Sequence, residues 1–196
     1  MKAVIREILT TVLLALLFFV AIRAVVHNFE VNGFSMKPNL HDGQFIIVSK
    51  AAYWFASPQR GDIVVFQTGR LNHGIIHRIV GMPGELIELR NGELYVNGEK
   101  REEPYIRGHS VSASPRKVPH DSFFIVGDNR AATSWDIVPQ RDIIGRAWLI
   151  YWPISEWGLV LNHSWESEAA GKEQLDVREP GFEYLLRVDV SRAGAL

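Results

Sequence analysis

A chain of 196 residues with 47% hydrophobic content is long enough for one globular domain plus an accessory segment, and general disorder is excluded. Lys and Arg number 21 against 22 Asp and Glu, a net charge of −1, and no basic stripe offers a surface to nucleic acid. Cysteine is absent, which excludes thiol catalysis, disulfides and cysteine-ligated metal.

The first element is an apolar run. Residues 8–22 contain no charged side chain, and apolar character continues past Arg23 to Val26. That length approaches the roughly 20 residues that cross a bilayer as a helix. Lys2 and Arg6 precede the run while Arg23 and His27 close it, so flanking charge specifies orientation only weakly. A basic-then-apolar start also marks cleaved leaders. Here, however, Val25-Val26-His27-Asn28-Phe29-Glu30 follows, with no small-x-small cleavage site, so residues 1–27 read as a retained membrane anchor.

Beyond the anchor the pattern changes to short β-branched and aromatic runs separated by turn residues. Strands are expected at 45–48, 62–66, 75–80, 85–90, 93–96, 123–126 and 143–151. Asn91-Gly92 between two alternating runs, repeated as Asn97-Gly98, is a hairpin signal, because a type I′ turn needs positive φ at both central residues. Pro83-Gly84 and Arg60-Gly61 mark further turns. No long helical period follows the anchor, so the fold class is mainly β, in two lobes. The polar stretch 99–119 reads as a peripheral loop or small insertion. Residues 163–196 form an acidic extension with one strand-like patch at 184–190, and no function attaches to it.

Three clusters carry possible chemistry. Ser35 stands in Gly33-Phe34-Ser35-Met36-Lys37-Pro38, just beyond the anchor, where a nucleophile would face a bilayer surface. A serine hydroxyl needs a neighbouring base. His77 interrupts an apolar strand in Gly74-Ile75-Ile76-His77-Arg78-Ile79-Val80-Gly81. Strand alternation puts His73, Ile75 and His77 on one face, with Ile76 and Arg78 on the other. A His73/His77 metal pair is rejected, because four residues of strand separate the rings too widely. The third cluster, Gly127-Asp128-Asn129-Arg130, ends an apolar strand and precedes Ser134-Trp135-Asp136. It is either a strand-ending turn or a carboxylate, amide and guanidinium delivered to a sheet edge.

Taken in order, these segments resemble the type I signal peptidases, membrane-bound enzymes that cut leader peptides from exported proteins. The resemblance runs from the anchor to about Trp152-Pro153. It rests on Ser35-Met36-Lys37-Pro38, Arg60-Gly61-Asp62-Ile63-Val64-Val65-Phe66, His77-Arg78-Ile79-Val80-Gly81-Met82-Pro83-Gly84-Glu85 and Gly127-Asp128-Asn129-Arg130. It implies a β-rich catalytic core over residues 28–162 with a small inserted β region at about 85–122, preceded by one transmembrane helix. Ser35 matches the nucleophile. His77 falls where most bacterial members have a lysine base, although the endoplasmic-reticulum and archaeal branches carry histidine followed by arginine there. A lysine base must lose about 3 pKa units, roughly 4 kcal/mol, to be neutral, whereas histidine starts near 6.5. A Ser–His pair sets an acid limb near pH 6–7.

In the same resemblance Asp128 supports the site, either by orienting His77 or by pairing with Arg78, and Asp136 is a further candidate. Gly33 stands where some relatives place a hydroxyl oxyanion donor, which leaves the Ser35 backbone N–H as first donor. The leader would lie extended between residues 31–35 and 74–77, contacting Gly33, Phe34, Met36, Ile75 and Ile76. Exposed apolar surface at Phe34 and Met36 would rest in the lipid bilayer. The implied partners are signal peptides of exported preproteins and the bilayer, with no nucleic acid. No metal or organic cofactor is required. The implied location is the cell membrane, single-pass, with the catalytic domain on the extracytoplasmic side. Two rival functions are a dedicated maturation peptidase of a conjugation system and an inactive membrane protein that binds leaders without cutting them.

Overall fold

A computed structural model describes residues 2–68 and 73–162. The extension at 163–196 and its strand-like patch lie outside these described residues. Helix α1 (Lys2–Val25) has no Gly or Pro to interrupt it, and its two threonines return their hydroxyls to carbonyls of Arg6 and Glu7 one turn earlier. Its apolar side chains, Leu13, Leu17 and Phe18 among them, are exposed, and among the described residues none of the helix is buried. A helix that is apolar all round and covered by nothing is a candidate membrane span.

The helix passes without a linker into β1 (Val26–Glu30). The anchor limit expected at residue 27 therefore falls inside a strand, where His27 lies opposite Val48. Then come β2 (Phe45–Ser49), β3 (Ile63–Phe66) and β4 (Ile75–Gly81). Four shorter strands follow: β5 (Leu86–Arg90), β6 (Glu93–Val96), β7 (Glu99–Arg101) and β8 (Ala113–Lys117). The chain closes with β9 (Ser122–Val126), β10 (Trp135–Pro139), β11 (Ile143–Trp152) and β12 (Gly158–Leu159).

These strands form two antiparallel sheets. The larger runs β1-β2-β11-β3-β4-β9-β10, with β12 added on β11; the smaller runs β7-β6-β5-β8. Asn91 and Gly92 (φ 48° and 83°) close the β5–β6 hairpin, as their positive-φ preference predicts. Strand β8 departs from the sequence reading, which placed a loop there. Its sequence, Ala-Ser-Pro-Arg-Lys, is mostly exposed, so no apolar alternation marks it; pairing with β5 at Ile87↔Arg116 makes it a strand. Strand β3 is buried on both faces. Ile63 and Val65 point into a core with Met36, Leu40, Ile46 and Ala147, and Val64 and Phe66 into a second with Ile79, Phe123 and Val138.

Gly81 ends β4 where the two sheets converge, and a Cβ there would press on Ile87 of the small sheet and Phe124 of the large one. Gly81→Ala should therefore lower unfolding stability by about 1–3 kcal/mol, the usual range for overpacking. Chemical denaturation would check this, and an unchanged midpoint would mean that the junction has slack.

Candidate active site

The segment between β1 and β2 turns tightly on backbone bonds from Asn39 and Leu40 to the Met36 carbonyl, both 3.0 Å. Met36 and Leu40 are its anchors, each 1% exposed in the core, and their burial leaves Ser35 half-buried and Phe34 exposed at the surface. Met36 is thus corrected from a leader- and bilayer-contacting residue to a core residue. Just before the serine, Gly33 takes φ +94°, a conformation only glycine adopts freely, and its N–H donates to Asp42 Oδ1 at 2.6 Å. Val31 is buried and bonded in both directions, to the Gln44 carbonyl and from the Gly43 N–H. The edge expected to receive substrate therefore begins at Asn32 rather than Val31.

The loop after β9 clips onto the serine. Asn129 donates its backbone N–H to the Ser35 carbonyl (2.8 Å) and its side-chain amide to the Phe34 carbonyl (3.0 Å). Gly127 sits directly beneath: a Cβ at this position would collide with both the Ser35 carbonyl oxygen and the Thr133 hydroxyl. That hydroxyl accepts the Gly127 N–H at 3.0 Å and lies 3.3 Å from His77 Nε2. Ser35, Gly127, Thr133 and His77 are therefore one contiguous cluster drawn from three separate stretches of chain: the β1–β2 segment, β4 and the loop after β9. The sequence reading singled out Ser134, but the hydroxyl that reaches the imidazole belongs to its neighbour Thr133.

His77 lies opposite Val64 on β3, only 5% exposed, with its ring 5.9 Å from that of Phe66. Burial lowers its pKa from 6.5 to about 4, so the imidazole is neutral throughout the physiological range. Its Nδ1 has no hydrogen-bond partner among the described residues. Ile75 is half-buried, and Ile76 is a core residue.

Arg78 leaves β4 on the opposite face and is fully buried. It grips Asp128 bidentately, Nε to Oδ1 at 2.8 Å and Nη2 to Oδ2 at 2.7 Å, while Nη1 donates to the Gly61 carbonyl at 2.8 Å. Burial opposes the guanidinium charge, but the hydrogen bonds and field of Asp128 outweigh it and raise the Arg78 pKa. Asn39 Nδ2 also donates to Asp128 Oδ2, at 2.7 Å. Of the two roles open for Asp128, the geometry takes the ion pair with Arg78, not the orientation of His77. Asp136 is corrected as well. It is exposed on β10, and its Oδ1 accepts the N–H of the adjacent Ile137.

A second buried pair was not foreseen. Arg130 Nη2 donates to Glu103 Oε1 at 2.7 Å and Nη1 to the Gly92 carbonyl at 2.7 Å, while Nε reaches the Gly127 carbonyl at 3.1 Å. Tyr105 adds its hydroxyl to Glu103 at 2.8 Å and sets its ring 4.2 Å from the Arg78 guanidinium carbon.

Two outcomes are expected. Asp128→Ala leaves a buried guanidinium without its carboxylate and should cost about 3–5 kcal/mol in a denaturant melt. For His77 the folded pKa lies below the unfolded one, so its contribution to stability is complete above pH 6.5 and lost as pH falls through about 4. The wild-type melting temperature should therefore fall more steeply between pH 7 and 4 than that of His77→Gln.

Comparison with known proteins follows the same residues. The family model for signal peptidase, peptidase S26, matches residues 4–152. A signal peptidase I of Leptolyngbya laminosa is 39% identical over 137 residues, 63% of this chain and 68% of its own length. Signal peptidase I U of Bacillus subtilis (strain 168) is 32% identical over 171 residues, 77% of this chain and 91% of that protein. A solved signal peptidase I from Enterococcus faecalis V583 is 26% identical, with a TM-score of 0.39 over 46% of this chain and 97% of that one. The family match runs from α1 to the end of β11 and encloses Ser35, His77, Arg78 and Asp128, and this chain belongs to the peptidase S26 family of signal peptidases.

Proposed function

We propose that the protein is a membrane-anchored serine endopeptidase that removes signal peptides from exported proteins, with Ser35 as nucleophile and His77 as general base. The observation that carries this reading is the cluster itself. One glycine packs against both the Ser35 carbonyl and the Thr133 hydroxyl, and that hydroxyl touches the imidazole.

In acylation the Ser35 oxygen bonds to the scissile carbonyl carbon as its proton passes to His77, and the carbonyl electron pair moves onto oxygen. The Ser35 backbone N–H is the first donor to that oxyanion, since the Gly33 N–H is already given to Asp42. The C–N bond then breaks and His77 delivers its proton to the leaving amine. A water molecule repeats the sequence to free the enzyme.

The sheet supplies a place for the leader. Strand β4 pairs with β3 along residues 75–78, but β9 begins its pairing with β4 only at Arg78. The other edge of Ile75, Ile76 and His77 is left to an extended peptide, with residues 32–35 facing it across the cleft. Ile75 and Ile76 then serve through their main chain. Gly33 lets the substrate backbone approach closely, and shallow pockets select small side chains. Helix α1 crosses the bilayer once, the β domain stands on the extracytoplasmic side, and exposed Phe34 faces the lipid.

One observation favours the rival reading of a leader-binding protein without turnover: among the described residues no carboxylate contacts His77, which differs from a Ser-His-Asp arrangement. A leader-peptide cleavage assay separates the two. Ser35→Ala should abolish cleavage, and His77→Ala should reduce it about 10²–10⁴-fold, the usual worth of a general base. Binding of leader by the wild type with no cleavage, and no reaction of Ser35 with an acylating inhibitor, would establish the rival. The base is active when neutral, so the acid limb of kcat/KM should lie well below 6.5, towards 4, rather than at the pH 6–7 of an unperturbed histidine.

A further inference from the structure

Residues 103–107, in the connection between β7 and β8, tie the small sheet to the loop that grips Ser35. The sequence reading put them in a peripheral polar stretch, yet Glu103 is 7% exposed and Tyr105 5%. Their backbone runs beside the loop after β9 as a parallel bridge. The Arg107 N–H donates to the Asp128 carbonyl at 2.9 Å, and the Arg130 N–H donates to the Arg107 carbonyl at 2.6 Å. The Tyr105 carbonyl accepts Asn39 Nδ2 at 2.9 Å, from the turn that follows Ser35. This short connection therefore touches both stretches of chain that present the serine.

Charge singles out Glu103 within it. Arg130 is fully buried, and its nitrogens donate to the Gly127 carbonyl, the Gly92 carbonyl and Glu103 Oε1. Carbonyls compensate a buried guanidinium only in part, and removing its carboxylate is costly. Asp128 is not available for this purpose, because Arg78 takes both its oxygens and Asn39 shares one of them. The Tyr105 hydroxyl donates to Glu103 Oε1 at 2.8 Å and so restricts rotation of the carboxylate. Glu103 thus fixes the guanidinium that holds the Gly127 carbonyl, and Gly127 packs directly on the Ser35 carbonyl.

We propose that Glu103 is a positioning residue: through Arg130 it holds the loop after β9, and with it Ser35, in the geometry of attack. This rests on the reading of Ser35 as nucleophile. The hydrogen bonds of Glu103 go to Arg130 and Tyr105, not to residues 32–35 or 75–77, so its effect falls on the chemical step rather than on leader binding. A pair kept for stability alone behaves differently. Apolar side chains of similar volume commonly replace such a pair without loss of stability, and rates would survive the exchange.

The test uses the full chain in detergent micelles. It measures kcat and KM for leader cleavage, and the rate at which a small acylating inhibitor modifies Ser35. Glu103→Gln keeps the shape and removes the charge. Both kcat and the acylation rate should fall about tenfold or more with KM within about twofold, and Glu103→Asp should recover part of each. Glu103→Gln leaves a buried guanidinium unpaired and can unfold the chain, so the neutral double variant Glu103→Met with Arg130→Met is measured beside it. The double variant should melt close to the wild type and still show the loss of both rates. Wild-type rates in either variant, or a change confined to KM, overturn the proposal. If the wild type neither cleaves leader nor reacts at Ser35, the peptidase reading falls and this role falls with it. If the wild type cleaves and the Glu103 variants cleave equally fast, only the role of Glu103 falls.

Discussion

The ion pair between Arg78 and Asp128 is the constraint on which the rest of the site depends. Both side chains are fully removed from water, and the two parallel bonds between them fix orientation as well as distance. Arg78 is the residue after His77 on β4, and Asp128 lies between Gly127 and Asn129, the two residues that hold Ser35. Locking the arginine to the carboxylate therefore holds the loop that grips Ser35 against β4, while the imidazole leaves the strand on its other face. A buried pair of this kind adds little net stability over an apolar substitute, since desolvation cancels much of the attraction. Here its effect is geometric.

The smaller sheet takes part in the same network. Glu103, from the connection after β7, neutralises Arg130, while Tyr105 bridges that carboxylate and the face of Arg78. Burial raises the Tyr105 pKa well above its usual value, and the neighbouring Glu103 carboxylate adds to the effect, so the phenol remains a donor. Arg130 also ties the Gly92 carbonyl of the β5–β6 turn to the Gly127 carbonyl beneath Ser35. Two arginines, one on β4 and one in the loop after β9, thus tie both sheets together at that loop.

Much of this fold was legible in the sequence because its signals are local. An uncharged run makes a helix that needs no partner, β-branched runs make buried strands, and Asn-Gly pairs make turns by backbone preference alone. The strands that escaped, β8 and β10 among them, are made by their neighbours; exposed Arg116 gives no sign that Ile87 will pair with it. In the site, Ser35, His77, Arg78 and Asp128 were readable as types and order. Which face each would take was not. Asp128 could have served either His77 or Arg78 until the strand register decided, and Met36 turns inward because the 36–40 turn puts it there. Thr133 was passed over for Ser134, since its contacts depend on Gly127 and His77 meeting around it.

The junction of α1 and β1 has a consequence for selection among substrates. Val25 is the last helical residue and Val26 the first of a strand already hydrogen-bonded into the sheet, and the Lys50 N–H clasps the Val25 carbonyl at 2.8 Å. A domain joined in this way has no tether on which to rise or swing. Under the proposed function, with α1 in the bilayer, this junction would hold the cleft at a constant height above the lipid, like a blade on a fixed gauge, and would restrict cutting to leaders whose scissile bond emerges at that height.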